Sequence, residues 1–484
     1  MTETSEIKRR SVRGGMITVG AQLVAVLTQL ISVSVLARLL LPEEFGIMAM
    51  VLAVAAFAQI FRDLGLSAAT IQRAELTTNQ LTSLFWINIG AGTFLTTVVA
   101  LASPLVAYLY DRPEVTLVTL AMSPMFLLGS IGAQPAALLS RQMNFGRLGI
   151  SNISGPIVNL VVAVAMAVND FGYWSLVAGS LAGITVKSLT ALWLSGLKVR
   201  KPEGSDGVRS LLQFGGSVTI FDIVNYFGRN FDNMIIGRVS GAEALGLYSR
   251  AYQLLMFPIL NLRGPINSVA FPAMSRLQEN AREYRRYYRG VISVLALLSM
   301  PLTAFLLVNS EPVIRTVLGP DWIDAAPLYS ILALVAFIQP CSSTIGLVCL
   351  SLGLGRRLVM TGLVGTIGSV IGFAIGVNWG PEGVAWAYAV TTYVMLVPIM
   401  AYTFKDTPLR VLDFFGAIRR PAIAAIICGV ALALVVPSMD DLADLSLLAI
   451  TAPAFGLLYL GLLLVQPGGA SELQRLLRLM RNRP

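Results

Sequence analysis

Histidine is absent from all 484 residues, and cysteine occurs only three times. The first absence removes His-based zinc sites, Ser-His triads and histidine proton relays. Cys341, Cys349 and Cys428 lie in apolar stretches and follow no metal-ligand spacing. Charge is scarce, at 13% Asp, Glu, Lys and Arg, where soluble domains carry roughly a quarter. Long polar connections are missing too, so no large extramembrane domain exists to house an enzyme.

Apolar sequence takes their place: 56% of residues are hydrophobic and the mean hydropathy is +0.74. Many apolar runs approach the ~20 residues that span a ~30 Å hydrocarbon core. In that medium each backbone amide must be satisfied within its own segment, so the runs become helices. About fourteen spans are expected, from 15–39 to 445–465. The first, following Lys8-Arg9-Arg10, is too long for a signal-peptide core and reads as a retained span. The fold class is therefore an all-α polytopic membrane protein.

A net charge of +9 could point to nucleic acid, but the basic residues are dispersed in small clusters between apolar runs. Most of the 35 Lys and Arg fall on alternate loops, including Arg282, Arg285, Arg286 and Arg289, then Arg419 and Arg420. The intervening loops carry acids such as Asp321 and Asp324. By the positive-inside rule both termini are expected in the cytoplasm, with 467–484 as an amphipathic tail on the inner membrane surface.

An internal repeat divides the chain. Gly14-Gly15-Met16-Ile17-Thr18 returns as Gly215-Gly216-Ser217-Val218-Thr219, and Glu43-Glu44-Phe45-Gly46 as Glu243-Ala244-Leu245-Gly246. Six spans separate the copies, so the repeats run parallel, as in transporters built from two lobes. The expected organisation is an N-lobe at 1–200, a C-lobe at 201–410, two further spans at 411–466 and the tail.

Chemistry must then come from polar groups inside spans, each costing a few kcal/mol unless it finds a partner or a wet cavity. Asp222, Asn225, Arg229 and Asp232 share one face of the seventh span at helical spacing. Lys187 and Arg263 are in-span bases of the neighbouring segments. Two readings stand: a structural ion-pair network, or a central cavity that binds an anionic headgroup through Arg229, Lys187 and Arg263. In the second, Asp222 is the counter-charge and a site for a coupling ion, H+ or Na+ left open. Gln22 and Gln29 contribute a polar stripe to the first span. Arg62 and Asp63 end the second, where a snorkelling, self-neutralised pair is expected. Pro258, Pro265 and Pro272 predict a broken eighth span, and Gly368, Gly372 and Gly376 predict close helix packing. No cofactor is expected.

Three stretches resemble a known family. They are Leu36-Ala37-Arg38-Leu39-Leu40-Leu41-Pro42-Glu43-Glu44-Phe45-Gly46; Phe61-Arg62-Asp63-Leu64-Gly65-Leu66-Ser67; and Arg229-Asn230-Phe231-Asp232-Asn233 with Leu245-Gly246-Leu247-Tyr248-Ser249-Arg250. Together they resemble the polysaccharide transporter branch of the MOP superfamily, the Wzx-type flippases, nearest to colanic-acid and succinoglycan exporters. The resemblance implies a two-lobed bundle in the bacterial inner membrane. It implies transport of undecaprenyl-diphosphate-linked oligosaccharides for exopolysaccharide or O-antigen synthesis, beside a polymerase and export machinery. It carries Arg38, Arg229, Asp232 and Arg250 as motif positions. The rivals are a drug/cation antiporter of the same superfamily, which would be expected to keep a dominantly acidic cavity, and a membrane enzyme acting on lipid-linked sugars, which would need a long extramembrane loop.

Overall fold

A computed structural model describes residues 3–63, 70, 77–197, 199, 226, 228, 230–439 and 442–466. Contacts divide the chain into two compact units, Met1–Gly246 and Leu247–Pro484. Among the described residues the regular elements are helices only, in keeping with the all-α expectation.

The first unit begins with α1 (Glu3–Leu39) and α2 (Pro42–Asp63), followed by α3 (Thr78–Tyr110). Thr77 opens α3 through a capping box: its hydroxyl accepts from the Gln80 N–H, and the Gln80 carboxamide accepts from the Thr77 N–H. Next come α4 (Glu114–Met122) and α5 (Met125–Arg141), interrupted at Ser123-Pro124, then α6 (Phe145–Ala167) and α7 (Trp174–Ser195). Residues 230–239 are helical again.

In the second unit, α8 (Gly241–Arg276) starts just before the division and carries the chain across it. It bends by 43° between Gly241–Gly264 and Val269–Arg276, so the break expected of the proline-rich eighth span is present. The remaining helices are α9 (Ala281–Val308), α10 (Ser310–Val317), α11 (Ala325–Ser342), α12 (Thr344–Ser351), α13 (Gly355–Gly376), α14 (Gly380–Phe404), α15 (Val411–Val435) and α16 (Asp444–Val465).

Eleven helical segments among the described residues are long and apolar enough to cross a membrane, or twelve counting the bent α8 as one span. One of the eleven, Gly355–Phe404, has 50 residues, ~75 Å of helical rise and more than twice a bilayer core. It is a hairpin of α13 and α14. Gly368 faces Thr391 and Met395, Gly372 faces Thr391 and Ala387, and Gly376 meets the Gly383 carbonyl. The expected glycine seam is thus a helix–helix contact. The seventh span expected at 211–236 lies largely outside the described residues.

Large apolar side chains lie on the outside as well as in the core. Leu101, Leu105, Leu434, Leu457 and Val465 stand exposed, as side chains facing lipid should. The core of the second unit packs leucine, isoleucine and valine with Tyr284, Tyr288, Met300, Cys341, Met400, Phe414 and Cys428. The Tyr284 hydroxyl hydrogen-bonds to Ser351 Oγ at 2.7 Å, so its polar end is satisfied inside that core.

Candidate functional site

In the first unit, small residues let α5, α6 and α7 approach closely enough to present a cation. A β-carbon on Gly183 would meet the Gly155 carbonyl at 2.8 Å and Asn159 Cβ at 2.9 Å, so α6 and α7 touch backbone to backbone. Lys187 lies one turn beyond Gly183. Its Cβ would be 3.0 Å from a β-carbon on Gly155, and its carbonyl accepts from Ser151 Oγ at 2.9 Å. The stem therefore runs over α6 while the residue as a whole is exposed. Lys187 is ~12 Å of helical rise from Ser195, well inside its span.

Arg62 closes on the same groove from α2. Its Nη1 would lie 2.5 Å from a β-carbon on Gly129, beside Ile184 one turn before Lys187. Arg62 and Lys187 are close enough to repel each other. This differs from the snorkelling expected of Arg62: the side chain is half-buried along α5 and α7, because Gly129 leaves a slot for it. The partner expected of it, Asp63, has its side chain outside the described residues. No carboxylate among the described residues forms a salt bridge with Lys187. Two like charges beside apolar spans are costly, and the cost falls where water or an anion reaches them.

The other expected residues are distributed as follows. Asp232 is buried, with its own Oδ1 accepting from the Asn233 N–H at 2.8 Å. Asp222, Asn225 and Arg229 lie outside the described residues. Gln22 and Gln29 are exposed on α1, and Arg38 is exposed at its end. Arg250 is half-buried on α8 and donates to Gln253 one turn on. Arg263 is half-buried immediately before the α8 break.

Several polar groups escaped sequence reasoning because a lone amide in a leucine-rich span gives no periodic signal. Gln134 on α5 and Thr70 exchange hydrogen bonds of 2.9 and 3.1 Å, and Arg141 donates to the Thr70 carbonyl at 2.9 Å. Asn88 on α3 is fully buried, with no hydrogen-bond partner for its amide among the described residues. Ser130 on α5 is likewise buried beside Gly92, one turn from Asn88.

Comparison with known proteins identifies the architecture first. A solved structure of the lipid II flippase MurJ, in an inward closed conformation, superposes with a TM-score of 0.74 at 13% identity, covering 92% of this chain and 98% of that one. The fold is that of a helical membrane flippase. Among relatives, the teichuronic acid biosynthesis protein TuaB of Bacillus subtilis (strain 168) is 30% identical over 436 residues, 87% of this chain and 88% of that protein. The lipopolysaccharide biosynthesis protein WzxC of Escherichia coli (strain K12) is 26% identical over 346 residues, 70% of each. The profile of the polysaccharide biosynthesis protein family matches residues 35–327. The chain belongs to that family, as a multi-pass membrane transporter and not an enzyme.

Proposed function

We propose that this transporter moves undecaprenyl-diphosphate-linked oligosaccharide repeat units from the cytoplasmic to the outer leaflet of a bacterial inner membrane, for exopolysaccharide or O-antigen synthesis. The observation that carries this is Lys187, exposed within its span beside Arg62 with no salt-bridged carboxylate among the described residues. A diphosphate suits a lysine presented within a span, since charge-assisted hydrogen bonds to its oxygens stabilise the ammonium there. The polyprenyl chain stays in lipid. Relatives named for teichuronic acid and lipopolysaccharide biosynthesis, and a lipid II flippase fold, support a lipid-linked sugar as cargo.

In this reading Arg229 and Arg263 join Lys187 on the headgroup, with Asn225 and Asp232 on the same face as Arg229. Asp222 is the counter-charge and coupling-ion site. The two repeat-related lobes alternate access, both termini are cytoplasmic, and a polymerase receives the cargo on the far side. The decisive experiment is a deletion strain complemented with wild type or with K187Q/R229Q/R263Q. Accumulation of a lipid-linked oligosaccharide with the triple variant, at normal protein level in the membrane, is expected. Unchanged polymer export with that variant would overturn the headgroup assignment.

A further inference from the structure

The second unit contains a cleft that the transport reading leaves unused. It has a volume of about 810 Å³ and lies between α9 and α15, walled by Arg282, Arg285, Arg286, Arg289, Arg419 and Arg420. Ser293, Ala417 and Pro408 complete much of the lining, and no Asp or Glu among the described residues lines it. At ~30 Å³ per water the space holds a group of many heavy atoms.

Four of these arginines, spaced three, one and three residues apart, share a single face of α9, where like charges oppose helix formation. Among the described residues, two interactions with acids relieve the set. Arg285 Nε donates to Asp413 Oδ1 at 2.7 Å, and the exposed Arg286 meets Glu283 at 3.4 Å. Arg282, Arg289 and Arg419 are exposed and form no salt bridge with a described acid. Gly416 of α15 borders the cleft opposite Arg289: a β-carbon there would be at ordinary contact distance, 3.9 Å, from Arg289 Nη2.

Orienting a membrane helix requires basic residues on one side of the bilayer, and scattered ones suffice. It does not require residues 130 positions apart in the sequence to converge on one cavity. The cleft also sits where α9 changes from AREYRRYYR to GVISVLALL, the level of lipid headgroups. Basic pockets between spans at that level are suited to phosphate-bearing lipids.

We infer that the α9–α15 cleft binds the phosphate headgroup of an anionic lipid, held by Arg282, Arg289 and Arg419. The chemistry is a lipid-attached phosphate, which a bilayer phosphatidylglycerol and a polyprenyl diphosphate share. Arg285 is held by Asp413 and orders the wall. The site is distinct from Lys187, and with the bilayer lipid as occupant it stands whatever the cargo is.

The test is native mass spectrometry of the full chain in detergent, titrated separately with phosphatidylglycerol, undecaprenyl diphosphate, phosphatidylcholine and inorganic pyrophosphate. Wild type is expected to retain at least one of the two anionic lipids about tenfold better than phosphatidylcholine, with the preference weakened by added salt. R282Q/R289Q/R419Q should lose that preference, and R282K/R289K/R419K should keep most of it. Which anionic lipid is retained identifies the occupant. Equal retention of phosphatidylcholine, an unchanged preference in the Gln variant, or pyrophosphate binding as strong as the lipids would overturn the inference. K187Q serves as the separating control: loss of transport with intact lipid retention leaves the cleft standing alone.

Discussion

Gly46 and Gly246 pack reciprocally. A β-carbon on Gly46 would run into the Ala242 carbonyl, and one on Gly246 into the Pro42 carbonyl. Pro42 and Ala242 occupy corresponding places in the two repeat copies, as do the two glycines. Each junction therefore presents its glycine to the other's backbone, the self-complementary pattern expected of a two-fold contact. Arg112 and Asp111, just after α3, form salt bridges with Glu43 at 3.0 Å and with Arg238 at 3.6 Å respectively.

Either Gly46→Ala or Gly246→Ala should destabilise the protein by ~1–3 kcal/mol or more, the cost of forcing atoms into a filled contact. Thermal unfolding in detergent measures it. The symmetry of the contact predicts similar losses from the two variants, and a loss from one alone would contradict it.

Gly129→Val should displace Arg62 from its slot, since even a β-carbon lies 2.5 Å from Nη1. Lipid-linked oligosaccharide should accumulate in cells carrying the variant, while the amount of protein in the membrane stays near normal. Gly146→Ala, where a β-carbon meets nothing within 4 Å, should have no such effect.

Asp413→Asn removes the charge facing Arg285. Asp413 is only 3% exposed, but Arg285 is 38% exposed, so solvent moderates the loss. The same carboxylate accepts from the Arg410 N–H at 2.9 Å at the start of α15. A destabilisation of ~1–3 kcal/mol is expected, read as a lowered unfolding temperature.

Gly376→Val should pry α13 from α14, because the Gly383 carbonyl and Ala387 Cβ occupy the space of the new side chain. A cysteine pair placed across the hairpin at Gly365 and Ile399, where a β-carbon on Gly365 lies 3.9 Å from Ile399, would then crosslink less efficiently than without the valine.

The sequence by itself determined the class of the molecule. Apolar runs near the bilayer thickness admit only helices, and the alternation of basic loops constrains which ends share a side. The α8 break at its prolines and the glycine seam of α13 were legible for the same reason: both are local, set by a missing N–H or a missing side chain. Lys187 was legible as a charge out of place.

Tertiary structure decided the rest. Nothing in a linear pattern relates Arg62 to Gly129, or Arg289 to Gly416, since those approaches depend on helix rotation and crossing. The buried Asn88 and the Gln134–Thr70 pair are single polar residues whose significance depends on what packs against them. Composition fixes the solvent a helix requires; which side chains meet is set by close packing between helices that are far apart in sequence.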